Sequence, residues 1–148
     1  MSYTNLLYHI VFSTKDRRPL LREPVLSSII AYMGGVARNL QGQLLAGNGT
    51  NDHLHLAAVI HPSMGVAEFV GKIKANSSRW ARQELAGGRE LGWQDGYAAF
   101  TVSRSALPRV LAYIAGQEEH HKTMTFQEEL IALLKKHGVQ YDPRHIAV

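Results

Sequence analysis

The sequence predicts an α+β fold, and three observations carry that prediction. Short stretches of strand character at Thr4–Ser13, Gln41–Ala46, Asn51–Ile60 and Tyr97–Val102 are separated by Gly-, Pro- and Asn-containing breaks. Apolar residues at helical spacing mark Glu23–Leu40 and Ser63–Leu85 between them. Two further helical stretches, Ser105 to about His121 and Phe126–His137, follow the last strand. The chain of 148 residues is expected to form one domain, with a core over about 3–103 and helices over about 104–138.

In Thr4–Ser13, Leu6, Tyr8, Ile10 and Phe12 alternate with Leu7, His9, Val11 and Ser13, so both faces are largely apolar. That pattern suits a central strand covered on both sides. Lys15–Pro19 is a short basic loop, a solvated turn or a phosphate contact through Lys15, Arg17 and Arg18. Glu23–Leu40 places Pro24 in its first turn and Val25, Ile29, Tyr32, Met33 and Val36 on one side. Gln41–Ala46 should pair with Asn51–Ile60 through a Gly47–Asp52 turn, forming an antiparallel hairpin.

Ser63–Leu85 is the longest expected helix, with Val66, Phe69, Val70, Ile73, Ser77 and Trp80 in its stripe. Lys72, Arg79 and Arg82 line one flank with Asn76, as a solvated face or as a ridge for a polyanion. Ser105 can cap the next helix, and Pro108 fits its first turn. Phe126–His137 carries acids early and Lys135, Lys136 and His137 late, matching the helix dipole, with Gly138 as its stop. The tail from Val139 is polar and is expected to be loosely held.

The first six elements run βαββαβ, the ferredoxin-like split arrangement, in which the first and third strands are central and two helices cover one face. In Asn51–Ile60, Leu54, Leu56, Ala58 and Ile60 would meet those helices. His53, His55, Ala57 and Val59 would face the other way, toward the C-terminal helices. An isolated His-x-His is more often two hydrogen-bonded histidines than a metal site. His9 could neighbour the pair, though a packed histidine is its simpler role.

Further along, Tyr113, Gln117 and His120 share one helical stripe. A helix lying on the sheet could aim Tyr113 and Gln117 at the histidines. Two imidazoles and an amide oxygen can hold Mg²⁺ or Mn²⁺ with positions left for a phosphate oxygen, and a tyrosine beside them can attack phosphorus. Taken singly, Tyr113 is more often an amphipathic boundary residue and Gln117 a surface amide.

Composition bounds the function. There is no cysteine, which excludes disulfides and thiolate metal sites and suits a reducing compartment. No apolar run reaches the length of a membrane span, and the N-terminus lacks the pattern of a signal peptide. A net charge of +4 and a pI near 9.5 lean toward a polyanionic partner.

The segments YHIVFSTKDRR, NDHLHLAAVI and YIAGQEEHHKTMTFQEELIALLKKHGVQYD resemble the small single-tyrosine HUH transposases of insertion-sequence-200/605 type. HUH denotes histidine, bulky hydrophobic residue, histidine, here His53-Leu54-His55. The resemblance runs from about Tyr3 to Asp142. It implies a ferredoxin-like core, His53, His55 and Gln117 as ligands of a divalent metal (Mg²⁺ or Mn²⁺), and Tyr113 as the nucleophile. It further implies cleavage and rejoining of single-stranded DNA at hairpin-bearing element ends through a 5′-phosphotyrosine, without a nucleotide cofactor. A homodimer in which one subunit's tyrosine helix can complete the other's site, and a bacterial or archaeal cytoplasmic location, complete the expectation. DNA contacts are expected at Lys15, Arg17, Arg18, Lys72, Arg79 and Arg82. Two other functions are compatible with the topology. One is a non-catalytic RNA- or single-strand-binding module, although such modules stack bases on aromatics of the central strands and the histidine strand has none. The other is a related HUH nuclease or replication initiator.

Overall fold

A computed structural model describes residues 1–146. Strands β1 (Leu7–Ser13), β2 (Gln43–Gly49), β3 (His53–Val59) and β4 (Ala98–Val102) form one antiparallel sheet in the order β2-β3-β1-β4. Helices α1 (Val25–Asn39) and α2 (Val66–Glu84) connect the strands in the βαββαβ order. After β4 come α3 (Leu107–Ala115), α4 (Gln117–His120), α5 (Phe126–Lys136) and α6 (Pro143–Ile146).

The two sheet faces are sorted by strand alternation, as the sequence pattern predicts. Ile10 and Phe12 of β1 join Leu54, Leu56 and Ala58 of β3 against Ile29 and Met33 of α1 and Phe69 and Ile73 of α2. Most of these side chains are fully buried, each contributing roughly 1.5–3 kcal/mol. On the opposite face, Val11 and Phe100 pack against Phe126, Leu133 and Leu134 of α5, and Leu7 and Val102 pack against Leu107 of α3. The C-terminal helices thus roof the histidine side of the sheet.

Three local expectations are corrected. The strand expected to stop at Ala46 runs on to Gly49, because Gly47, Asn48 and Gly49 pair with Leu56, His55 and Leu54. Here glycine serves close approach rather than a turn: a Cβ on Gly49 would sit 2.1 Å from the His53 carbonyl oxygen. Ser105 to His121 is not one helix. Ser103 rather than Ser105 accepts the Ala106 N–H, at 3.2 Å, and Gly116, with φ −93° and ψ 16°, separates α3 from α4. The tail is tied down, with Tyr141 and Ile146 packed on the Val11–Phe100–Phe126 cluster, because it carries enough apolar surface to find the sheet's second face.

A capping box opens α5. Thr125 Oγ1 accepts from the Glu128 N–H, and Glu128 Oε1 accepts from the Thr125 N–H, each at 3.1 Å. It sets the start of α5 and with it the direction of Glu129, the next residue.

Candidate active site

β3 supplies the floor. His53 and His55 are both fully buried and project from the same face. β1 adds His9, which pairs with Ala57 and so stands diagonal to His55. His9 Nε2 and His55 Nδ1 are 2.8 Å apart. His53 Nδ1 lies 2.8 Å from Asp52 Oδ1 and 3.0 Å from Thr50 Oγ1, both in the turn before β3. The imidazoles of His53 and His55 are therefore each held by Nδ1, leaving Nε2 aimed into the site.

What meets those Nε2 atoms is a carboxylate that the sequence reading missed. Glu129 of α5 is buried, and its Oε1 accepts from His55 Nε2 at 2.9 Å, His53 Nε2 at 3.2 Å and His121 Nε2 at 3.0 Å. Its Oε2 accepts from the Tyr113 hydroxyl and, at 2.9 Å, from Gln117 Nε2. Gln117 is fully buried, with its amide oxygen 3.3 Å from His53 Nε2. Tyr113 is half-buried, its ring stacked on His120 at 4.6 Å and edge-on to His9 and His55 at 6.0 and 5.8 Å. The tyrosine helix is docked on its own chain's sheet: Asn48 Nδ2 of β2 donates to the Ile114 and Ala115 carbonyls at 3.0 and 3.2 Å.

The electrostatics follow from this crowding. Burial alone would raise the Glu129 carboxyl, but hydrogen bonds from His53, His55 and Tyr113 hold it well below the usual carboxylate range. Burial opposes charge on His53, yet its bonds to Asp52 and Glu129 raise it. Burial lowers His55 and raises the Tyr113 phenol, the latter reinforced by the adjacent Glu129. Burial, then the neighbouring His55, push His9 down from 6.5 to about 3.

The donor set fits a divalent cation. His53, His55 and Glu129 each offer a ligand atom within 4.8 Å of the others, and both imidazoles are oriented from behind. The His9–His55 bond suits either state. His9 donates when His55 carries its proton on Nε2, and His55 Nδ1–H donates when Nε2 is free for a cation.

Neutral His9 gives a pH prediction for the metal-free protein. The unfolded chain protonates this histidine near 6.5 and the folded chain only near 3. Its contribution to stability is whole above 6.5 and is lost as pH falls toward 3, at most about 1.4 kcal/mol per pH unit. The urea midpoint should drop between pH 6.5 and 5, and the drop should shrink in His9→Gln. An undiminished drop in that variant would assign the effect to another group.

The expected DNA contacts separate into two groups. Lys15, Arg17 and Arg18 lie on a 3-10 turn beside the site, with Asp16 and Arg17 in the left-handed region at φ 56° and 53°. Arg17 sits 3.7 Å from Asp52 and over the Phe126 ring, and its buried Nε has no hydrogen-bond partner. Arg18 pairs with Glu90, and Lys15 is exposed. Lys72, Arg79 and Arg82 are on α2, across the sheet from the histidines. They engage Glu68, Asn76 and the Leu91 carbonyl, and are not brought to the site.

Two grooves reach the site. One, of about 890 Å³, is lined by Arg17, Thr50, Asp52, His121 and Phe126. The other, of about 760 Å³, runs between α3 and α5 and has His9, Tyr113 and Glu129 among its lining residues.

The chain thus combines a ferredoxin-like sheet and a buried His-x-His pair with a tyrosine from a helix after the last strand, the arrangement that the sequence resemblance implies. The family model described as "Transposase IS200 like" matches residues 2–117, and the chain belongs to that family. The chain is 27% identical over 124 residues to the transposase for insertion sequence element IS200 of Salmonella typhimurium, covering 80% of each chain. It is 24% identical over 121 residues to the ISDra2 transposase TnpA of Deinococcus radiodurans, covering 77% of this chain and 85% of that one. A crystal structure of a protein from Deinococcus radiodurans R1 superposes with a TM-score of 0.59 at 26% identity, over 79% of this chain and 95% of that one. A REP-associated tyrosine transposase bound to a REP hairpin shares the fold, with a TM-score of 0.61 at 13% identity, over 82% of this chain and 74% of that one. The family match ends at Gln117, so Glu129 and the helix that carries it lie beyond it.

Proposed function

We propose that the chain cleaves and rejoins single-stranded DNA at the ends of an insertion element, with Tyr113 as nucleophile. The observation that carries this reading is the convergence, within one chain, of the Tyr113 hydroxyl, the Gln117 amide and the buried His53–His55 pair on the Glu129 carboxylate.

The residues divide the work as follows. Tyr113 Oη attacks phosphorus; the Oη–P bond forms as the P–O3′ bond breaks. Glu129 Oε2 accepts the hydroxyl's hydrogen bond and orients it; the phenol proton leaves to water as the Oη–P bond forms, and the departing 3′ oxygen takes a proton from water. A free 3′-OH and a 5′-phosphotyrosine result, and attack by another 3′-OH reverses the exchange, so no nucleotide cofactor is required. His53 Nε2, His55 Nε2 and Glu129 Oε1, with the Gln117 amide oxygen beside them, would hold Mg²⁺ or Mn²⁺. Bound there, the cation supplies a Lewis acid that neutralises charge on the phosphate. Asp52, Thr50 and His9 orient the histidines.

For substrate, the reading takes single-stranded DNA flanked by a hairpin, supported by family membership and by the REP hairpin held by the neighbour of like fold. Arg17 and its turn are the contacts of choice near the site, and the α2 cations are left to a duplex stem held outside it. The non-catalytic RNA-binding alternative loses its platform, because α3 and α5 cover the histidine face of the sheet. Among the described residues, no helix is long and apolar enough to cross a membrane.

The family resemblance includes a homodimer, retained here with each site built within its own chain. Mixing Tyr113→Phe with His53→Ala protein tests this. The mixture should capture no more cleaved DNA than either variant alone, whereas restored capture would show that the tyrosine is supplied in trans.

A further inference from the structure

The groove between α3 and α5 contains cations that nothing above employs. Arg109 stands one turn before Tyr113 on α3, about 6 Å along the axis, and Lys136 stands two turns after Glu129 on α5. Both are exposed and line the groove. Among the described residues neither makes an ion pair, unlike Arg17, Arg18, Lys72 and Lys122. The sole acidic side chain in the lining is Glu129, buried at the inner end. Val102, Val110 and Leu133 give the walls apolar surface, and Thr101 and Ser103 add hydroxyls. Positive charge beside the rings of Tyr113, His120 and His137, which also line the groove, is the chemistry of a single-strand channel.

The direction of the strand follows from the reaction. In an in-line displacement the leaving O3′ lies across phosphorus from Tyr113 Oη. Tyr113 lines the α3–α5 groove and not the other, which is lined by His121, Asp52 and Arg17 on the His53 side. The 3′-OH strand therefore departs toward the Arg17 groove. O5′ is equatorial to that axis, and the strand that keeps the phosphate has the α3–α5 groove, which Tyr113 itself lines, open to it.

We propose that the α3–α5 groove binds the single-stranded DNA on the 3′ side of the scissile phosphate, the part that becomes joined to Tyr113, with Arg109 and Lys136 contacting its next phosphates. This rests on Tyr113 acting as the nucleophile. It adds two DNA-contacting residues and a polarity to that reading.

The test compares two fluorescent octathymidylates, one with a 5′-phosphate and a 3′ label, the other with a 3′-phosphate and a 5′ label. Binding to the full chain in manganese is followed by anisotropy across a salt series. In the Arg109→Gln/Lys136→Gln double variant, affinity for the 5′-phosphorylated probe should fall about tenfold and its log–log salt slope should become shallower by about 1.4. The 3′-phosphorylated probe should change less than twofold. Unchanged binding of the 5′-phosphorylated probe would overturn the assignment of the groove, and equal losses for both probes would overturn its polarity. A parallel capture assay with the wild-type chain and element-end DNA separates the two levels. Capture on Tyr113 with unmoved probe binding sinks the groove alone, whereas absence of capture sinks the transposase chemistry on which it rests.

Discussion

Tyr113→Phe should abolish covalent capture of cleaved single-stranded DNA, by roughly 10⁴-fold or more, while leaving DNA binding within about twofold. The change removes one oxygen. The ring keeps its stacking on His120 and its edge contacts with His9 and His55, and only the hydroxyl bond to Glu129 is lost. That loss should cost stability about 1 kcal/mol. Denaturing electrophoresis of labelled element-end DNA reads the adduct directly, and a urea titration reads the fold. A phenylalanine variant that still forms the adduct at the wild-type level would remove Tyr113 from the reaction. Loss of adduct together with a collapsed urea midpoint would reduce Tyr113 to a packing residue.

The second large effect is expected at Glu129. Glu129→Gln keeps the shape but removes the charge, and Glu129→Ala removes the group altogether. If Glu129 Oε1 completes the cation site, manganese affinity measured by calorimetry should fall about 10- to 100-fold in both variants. The alanine change should also destabilise the metal-free protein by about 3 kcal/mol, because His53 would keep only Asp52 as a partner while His55, Tyr113 and Gln117 would lose their shared buried acceptor. Unaltered manganese affinity in both variants would leave His53, His55 and Gln117 as the ligands and make Glu129 a structural acceptor. The glutamine variant also separates Glu129 from Gln117, since an amide can still accept from Tyr113 yet cannot offset cationic charge.

The histidine strand shows how much was legible in the sequence. Alternation in Asn51–Ile60 assigned Leu54, Leu56 and Ala58 to the helix-covered face and His53 and His55 to the other, because a strand turns each successive side chain by half a revolution. The same reasoning placed Tyr113 and Gln117 on one helical stripe. Gly116 divides that stretch into two helices without moving Gln117 out of the site. Boundaries were less legible. Gly47–Gly49 has the composition of a turn, yet it extends a strand: a Cβ at Gly49 would strike the β3 backbone, and one at Gly47 would strike the Ile30 side chain.

Glu129 left a fainter trace. It falls among Phe126, Leu130, Leu133 and Leu134 on the buried side of α5, a charge on an apolar stripe. Read as part of an acidic first turn, it matched the helix dipole and raised no question. A buried charge on such a stripe needs a partner, and here the partners come from β3, α3 and α4.

By itself, the sequence determined which residues share a face, the order of strands and helices, and the family to which they belong. Those properties depend on local periodicity and on motif spacing. Tertiary structure alone decided that the carboxylate of α5 meets both histidines, that the α2 cations face away from them, and that Arg109 and Lys136 flank a groove ending at Tyr113. Each of these is a meeting of elements distant in the chain, set by which sheet face a helix packs on and how it is rotated. No local pattern encodes that rotation, because it is fixed by the combined fit of side chains such as Phe100, Phe126 and Leu133.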